Sequence, residues 1–199
     1  MRLLADYWSS TAACFLWRIF GSFHDERTWN FAERLYTKVY VLMNEHPFIF
    51  QPGVWLGEGR VSLSMMKENE LRFCTKWNVR EIDDHAKIEA FQEIEISGLA
   101  DRMENQFIFY DVTKKGFCIE LENQALGAVV GQGLLHPEKI SWEFRLGHLG
   151  FEGFEFYEKG EEPDMYLVHA EYMASDDFRT TIHGKIWKKQ TDSLKEKED

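Results

Sequence analysis

The sequence lacks the features that several classes of function require. Its 199 residues include 23 Lys and Arg against 34 Asp and Glu, a net charge of -11, whereas an extended nucleic-acid surface needs clustered basic side chains. The three cysteines, Cys14, Cys74 and Cys118, are widely spaced and form no CxxC pair. No zinc finger is therefore predicted, and the thiols are expected to be reduced, which indicates a cytoplasmic protein.

Long apolar runs and catalytic signatures are also missing. The apolar run over residues 12–20 is interrupted by Arg18 and is too short to span a bilayer, and no signal-peptide cleavage site follows it. The chain contains no G-x-S-x-G, H-E-x-x-H or Walker motif. The sequence therefore favours a non-enzymatic protein.

Apolar residues recur at every second position from Pro52 onward, the spacing that is typical of a strand with one buried face. The alternation is clear over 54–66, 71–81, 87–97, 117–125, 140–146 and 165–189. Over 128–135 both faces are apolar, and Gly131 and Gly133 suggest a bend or a close approach of the backbone. Around Glu155, the alternation predicts Phe154 and Phe156 inside and the carboxylate outside.

The last two strands are predicted to form a hairpin around the polar turn 175–177. Keeping the apolar rows on one face requires Tyr172 opposite Thr180, Ala170 opposite Ile182 and Tyr166 opposite Ile186, because a slip of one residue would mix the faces. The same register places His169 opposite His183 on the face that also carries Arg179 and Lys185. That face is expected to be exposed to solvent.

About ten strands follow one another, which predicts a mainly β protein. An antiparallel up-and-down barrel with an N-terminal helical segment would leave no exposed strand edges. The predicted organisation is a helical segment over 1–47 packed on the barrel, with its main helix over 25–44, the barrel over 48–189, and a charged flexible tail over 190–199. A ten-stranded barrel has room for a ligand, whereas roughly eight strands fill their own interior.

The inward-facing positions are largely aromatic with a few hydroxyl and amide side chains, and such an environment orients a small molecule. We therefore predict non-enzymatic binding of a small, largely apolar ligand in the lumen. The predicted ligand-binding residues are Thr75, Trp77, Gln92, Asn105, Phe107, Asn123, Gln132, Trp142, Tyr166 and Tyr172. A lumenal enzyme would instead show two or more inward ionisable groups within hydrogen-bond reach.

A filled barrel is the alternative, and it would make the protein a structural or interaction module. In that case residues 1–23, with Trp8, Phe15, Trp17 and Phe20, would dock a protein partner or a membrane surface. This hypothesis predicts an exposed apolar patch of several hundred Å² on that segment.

Two motifs resemble those of a known superfamily. The sequence Gly53-Val54-Trp55-Leu56-Gly57-Glu58-Gly59 is similar to the first strand of calycin-like barrels, which include lipocalins and fatty-acid-binding proteins, and its longer G-x-W-x-G-x-G form resembles the haem-binding nitrobindins. Met173-Ala174 also precedes His183 by the interval that separates the nitrobindin Met-Ala from the haem-ligating His. The resemblance implies a ten-stranded barrel and, as an alternative function, haem binding with His183 as the iron ligand.

Overall fold

The computed structural model describes residues 45–65, 70–80, 87–147, 150–174 and 178–190. The helix predicted over 25–44, the aromatic segment 1–23 and the tail from 191 onward lie outside the described residues. The described part contains a short helical turn and ten strands: α1 (Pro47–Phe50), β1 (Gly53–Leu63), β2 (Leu71–Val79), β3 (Ile88–Ile96), β4 (Met103–Tyr110), β5 (Gly116–Asn123), β6 (Gly127–His136), β7 (Lys139–Leu146), β8 (Phe151–Lys159), β9 (Met165–Met173) and β10 (Arg179–Lys188).

The ten strands form a closed antiparallel barrel. Each strand pairs with its neighbours in sequence, and β1 pairs with β10 to complete the ring. The up-and-down barrel predicted from the sequence is therefore confirmed. The final hairpin has the predicted register, with Tyr172 opposite Thr180 and His169 opposite His183.

Helix α1 fills one end of the barrel, which we call the α1 end. Phe48 and Ile49 are 0 % exposed and Phe50 is 1 % exposed. The Phe48 ring centroid lies 5.2 Å from that of Trp55, 5.3 Å from Trp77 and 4.8 Å from Tyr157. Aromatic rings at these separations bury a large apolar area, so the α1 end is a packed core.

Two glycines explain the stretch of β6 whose faces the sequence left undecided. Gly131 and Gly133 both face inward, and a Cβ added to them would collide with the rings of Phe144 and Phe117, respectively. Val129 shares their inner row and is buried, whereas Val130 and Leu134 are 61 % and 66 % exposed on the outer face. The glycines therefore mark a close approach of aromatic rings to the backbone.

The glycines of the G-x-W-x-G-x-G motif serve the same purpose where the barrel closes. A Cβ on Gly57 would lie 2.6 Å from the Ile186 side chain, and one on Gly59 would lie 2.6 Å from both the Gly184 Cα and the Phe73 ring. Gly59 and Gly184 are partners in the pairing of β1 with β10. The motif thus has a packing role in this chain.

Strand β8 has the opposite orientation from the one predicted. Glu155 and Tyr157 point inward and are 5 % and 2 % exposed, so the prediction that Phe154 and Phe156 face the lumen is wrong. The outer rings are covered instead by cations, with Arg145 5.6 Å from the Phe154 centroid and Lys139 Nζ 5.5 Å from the Phe156 centroid. Cation–π contacts of this kind stabilise half-buried rings on a surface.

We expect Phe48→Ala to destabilise the barrel by about 3 to 5 kcal/mol, because it removes a fully buried ring and leaves a cavity. Leu134→Ala is a suitable control, since its side chain is 66 % exposed on the outer face of β6 and should change stability by less than about 0.5 kcal/mol. Urea denaturation followed by tryptophan fluorescence measures both. Equal effects of the two substitutions would contradict the assignment of Phe48 to the core.

Candidate functional site

The barrel contains a cavity of about 410 Å³ beyond the packed α1 end. Trp77, Phe107 and Tyr157 belong both to the packed core and to the cavity lining, so they form its floor. Most of the wall is aliphatic or aromatic, including Val61, Leu63, Phe73, Ile94, Leu121 and Ile182. Apolar walls with a small number of polar groups are typical of small-molecule sites.

One polar group of the cavity is a buried carboxyl, Glu155, held by two tyrosines. The Tyr157 hydroxyl donates a 2.7 Å hydrogen bond to Glu155 Oε2. The Tyr172 hydroxyl donates a 2.8 Å hydrogen bond to Oε1. All three side chains line the cavity, and we call them the carboxyl–tyrosine cluster.

The strand geometry brings the carboxyl–tyrosine cluster together. Glu155 and Tyr157 are two residues apart on β8 and therefore point to the same face. Tyr172 comes from β9, where it stands opposite Gly153. A Cβ on Gly153 would lie 2.7 Å from Tyr172 Cδ1, so the glycine allows the Tyr172 ring to lie across β8 and reach the carboxyl. Phe151 stacks on that ring, with centroids 6.1 Å apart.

Burial raises the pKa of the Glu155 carboxyl, and the hydrogen bonds from Tyr157 and Tyr172 oppose the rise. The indole of Trp142, opposite Glu155 on β7, also opposes it, although its Nε1 lies outside hydrogen-bonding geometry. Burial, reinforced by the nearby carboxyl, raises the pKa of Tyr157 and Tyr172 well above the usual 10.0. Both phenols are therefore protonated donors at neutral pH.

The other polar wall is a chain of three amides on β3, β4 and β5. The backbone N–H groups of Ala125 and Leu126 donate to Asn123 Oδ1, at 3.0 and 2.8 Å, which fixes the orientation of this amide. Its NH₂ donates to Asn105 Oδ1 at 3.0 Å, and the Asn105 NH₂ donates to Gln92 Oε1 at 2.8 Å. The chain therefore ends at Gln92 with the carbonyl oxygen in use and the NH₂ as the remaining group.

Of the ten predicted ligand-binding residues, seven line the cavity: Thr75, Trp77, Gln92, Asn105, Phe107, Asn123 and Tyr172. Trp142 and Tyr166 are buried in the packed core instead. The placement of Gln132 in the lumen is wrong, because it is exposed on the outer face of β6 opposite Glu143. The inner row of that strand is taken by Val129, Gly131 and Gly133.

His183 lies on the outer face of β10. Its side chain is exposed, and its Nδ1 is 3.2 Å from the Nδ1 of His169, whose Nε2 lies 3.2 Å from the Glu171 carboxylate. An iron ligand for a haem in the lumen has to point inward, so the haem role that the resemblance implied does not fit this position. The described residues also contain no group of three or more His, Cys, Asp or Glu that could hold a metal ion.

Glu155 and Tyr157 were not predicted as cavity residues, although the sequence carries a signal for them. Phe154 and Phe156 share their row with Glu152 and Glu158. Turning the phenylalanines inward would therefore bury two carboxylates, whereas the observed register buries one. Since an unpaired buried carboxylate is costly, the number of acidic residues in the two rows of β8 favours the observed register.

Comparisons with known proteins show what this fold resembles. No protein-family model and no curated protein matches the sequence. Among solved structures, an S-type phycobiliprotein lyase from Guillardia theta superimposes with a TM-score of 0.54 at 8 % identity, over 77 % of this chain and 94 % of that chain. A de novo designed fluorescence-activating β-barrel matches with a TM-score of 0.33 at 13 % identity, over 69 % and 93 %. The likeness to the lyase shows a shared fold.

The described residues include no helix with the length and apolar character needed to cross a membrane.

We expect the stability of the wild type to fall relative to that of Glu155→Gln as the pH rises above about 4.5. The unfolded chain releases the Glu155 proton near that ordinary value, while the folded chain retains it to higher pH, so the folded state binds more protons within this window and loses stability with rising pH. Urea denaturation at a series of pH values from about 4 to 8 measures the difference.

Glu143→Gln is the matched control, because Glu143 is half-exposed on the outer face of β7 and pairs with Arg145. It removes the same formal charge away from the cavity and should not reproduce the pH-dependent gain. A stability difference between wild type and Glu155→Gln that does not change with pH would contradict the raised pKa of Glu155.

Proposed function

We propose that this protein binds a small, largely apolar molecule in the barrel cavity without transforming it. The observation that carries the proposal is the cavity of about 410 Å³, which falls within the range of about 300 to 1,000 Å³ that is usual for small-molecule sites. Its apolar wall and its two polar clusters, the carboxyl–tyrosine cluster and the amide chain, suit a ligand that is mostly apolar but polar at its ends.

The cavity also argues against a completely filled barrel. A filled interior would leave less than about 100 Å³, well below the size of a ligand site, and the packed aromatic core occupies only the α1 end. Docking of a protein partner or a membrane surface through residues 1–23 stays a prediction, because that segment lies outside the described residues. The cytoplasmic location also stays a prediction.

The carboxyl–tyrosine cluster meets the condition set for a lumenal enzyme, since its ionisable groups point inward and lie within hydrogen-bond reach. The protonation state of its two tyrosines supports ligand binding more strongly than catalysis. Both phenols are protonated at neutral pH, with a pKa that burial raises further above the usual 10.0, and each donates to a carboxyl oxygen. Such a cluster is suited to orienting a ligand by hydrogen bonds.

We further propose that the barrel is calycin-like. The support comes from its closed ten-stranded meander, from the G-x-W on β1 and from the shared fold with the phycobiliprotein lyase. The ligands of calycin-like barrels do not transfer to this chain, because the polar groups that line the lumen determine which ligand it can hold.

We expect Ala170→Phe to weaken ligand binding, because Ala170 is 2 % exposed and lines the cavity beside Glu155. The added ring would occupy part of the ligand space. With 1-naphthalenemethanol as a neutral probe, isothermal titration calorimetry should show at least about a tenfold rise in Kd, which corresponds to about 1.4 kcal/mol. Ala128→Phe is the matched control, since Ala128 is exposed on the outer face of β6.

Native mass spectrometry of the purified protein provides the second test. A copurified mass that is present in the wild type and in Ala128→Phe, but absent from Ala170→Phe, would locate the natural ligand in the cavity. Unchanged probe affinity in Ala170→Phe, with thermal unfolding showing that the variant is folded, would contradict the lumenal site.

A further inference from the structure

Among the described residues, the Glu155 carboxyl has no cationic partner in the cavity. None of the described residues that line the cavity is Lys, Arg or His, and Glu155 is the only carboxyl among them. Moving a carboxylate out of water is costly unless it is paired, and neutral hydrogen-bond donors compensate only in part. In its ionised form, Glu155 therefore has no charge partner among these lining residues, and either a proton or a cationic group of the ligand has to neutralise it.

The carboxyl also has capacity for a further hydrogen bond. An ionised carboxylate offers about four lone-pair sites, and the two phenols use one site on each oxygen. Glu155 is among the residues that line the cavity, although it is only 5 % exposed to solvent. A donor group inside the cavity can therefore reach an oxygen that the tyrosines have already oriented.

The amide chain on the opposite wall does not provide a positive charge. Strand β3, which carries Gln92, lies five positions from β8 around the ring of ten strands and thus faces it across the barrel. Gln92 contributes a neutral NH₂ as its remaining group, since its oxygen accepts from Asn105. A ligand carboxylate would meet the Glu155 carboxyl at one wall and a neutral amide at the other, with no positive charge among the described lining residues, so the cavity disfavours anions such as fatty acids.

We propose that the ligand is an apolar molecule with one basic nitrogen, which is protonated when bound and donates a charge-assisted hydrogen bond to Glu155. The inference rests on the proposed function and names the ligand class for the same cavity. The nitrogen lies beside the carboxyl–tyrosine cluster, and the apolar body lies against walls such as Val61, Ile94 and Ile182. Pairing of opposite charges in a site shielded from water makes this bond stronger than a neutral one.

Three naphthalene probes of nearly equal size test the proposal: 1-naphthylmethylamine is a cation near neutral pH, 1-naphthalenemethanol is neutral, and 1-naphthoate is an anion. Isothermal titration calorimetry on the full chain gives their dissociation constants. We expect the wild type to bind the amine at least about tenfold more tightly than the alcohol. The naphthoate should bind more weakly than the alcohol.

Glu155→Gln keeps the size of the side chain and removes its charge. In this variant we expect the affinity for the amine to fall by at least about tenfold more than the affinity for the alcohol. Glu143→Gln removes a carboxylate from the outer face of β7 and should retain the wild-type preference. This control separates pairing inside the cavity from the effect of net charge.

The outcomes distinguish the ligand class from the binding function. If the wild type binds the alcohol as tightly as the amine, or if Glu155→Gln retains the preference for the amine, the ligand class is wrong and the cavity still binds small molecules. If the wild type binds none of the three probes, the lumenal binding function is overturned together with the ligand class. The three-probe comparison in the wild type is decisive even if Glu155→Gln does not fold.

Discussion

The pairing of β1 with β10 is the constraint on which the rest of this structure depends. It closes the ring, so every strand has one face that points into the barrel. The side chains on that inner face form either the packed core or the wall of the cavity. Gly59 and Gly184 meet at that seam, where a Cβ on Gly59 would collide with the opposite backbone. A closed seam of this kind also leaves no unpaired edge for another chain to extend.

Inside the closed barrel, the inward side chains fill one end completely and leave a cavity toward the other. At the α1 end the chain adds a plug of its own, since Phe48 inserts among the rings of Trp55, Trp77 and Tyr157. His46, next to the start of α1, donates a hydrogen bond from Nε2 to the His136 carbonyl at 2.7 Å. Burial lowers the pKa of His46, which favours the neutral ring. The cavity, with the carboxyl–tyrosine cluster and the amide chain, lies beyond this end.

The sequence predicted the fold well because the alternation of apolar residues depends only on which face is buried. The register of the β9–β10 hairpin followed from Tyr172, Ala170 and Tyr166 in the same way. The predicted orientation of β8 was wrong, because both rows of this strand mix apolar and acidic residues and hydropathy alone favours Phe154 and Phe156. Gln132 was wrongly predicted to face the lumen, because β6 is apolar on both faces and only the rings of Phe117 and Phe144 decide which row fits inside.

The polar groups of the site consist of side chains from several strands, which hydrogen-bond to one another. The amide chain has a direction because backbone donors at the β5–β6 turn orient Asn123, and that direction passes through Asn105 to Gln92 on a strand 31 positions earlier. The carboxyl–tyrosine cluster needs Gly153 to admit Tyr172 from the neighbouring strand. The register of the strands brings the residues of both groups side by side. The alternation of a strand therefore predicts which of these side chains face inward, but it does not predict how they are oriented. The barrel fold alone therefore does not specify the ligand, since replacing Glu155 by a cation would reverse the charge preference of the cavity while the strand pairing stayed the same.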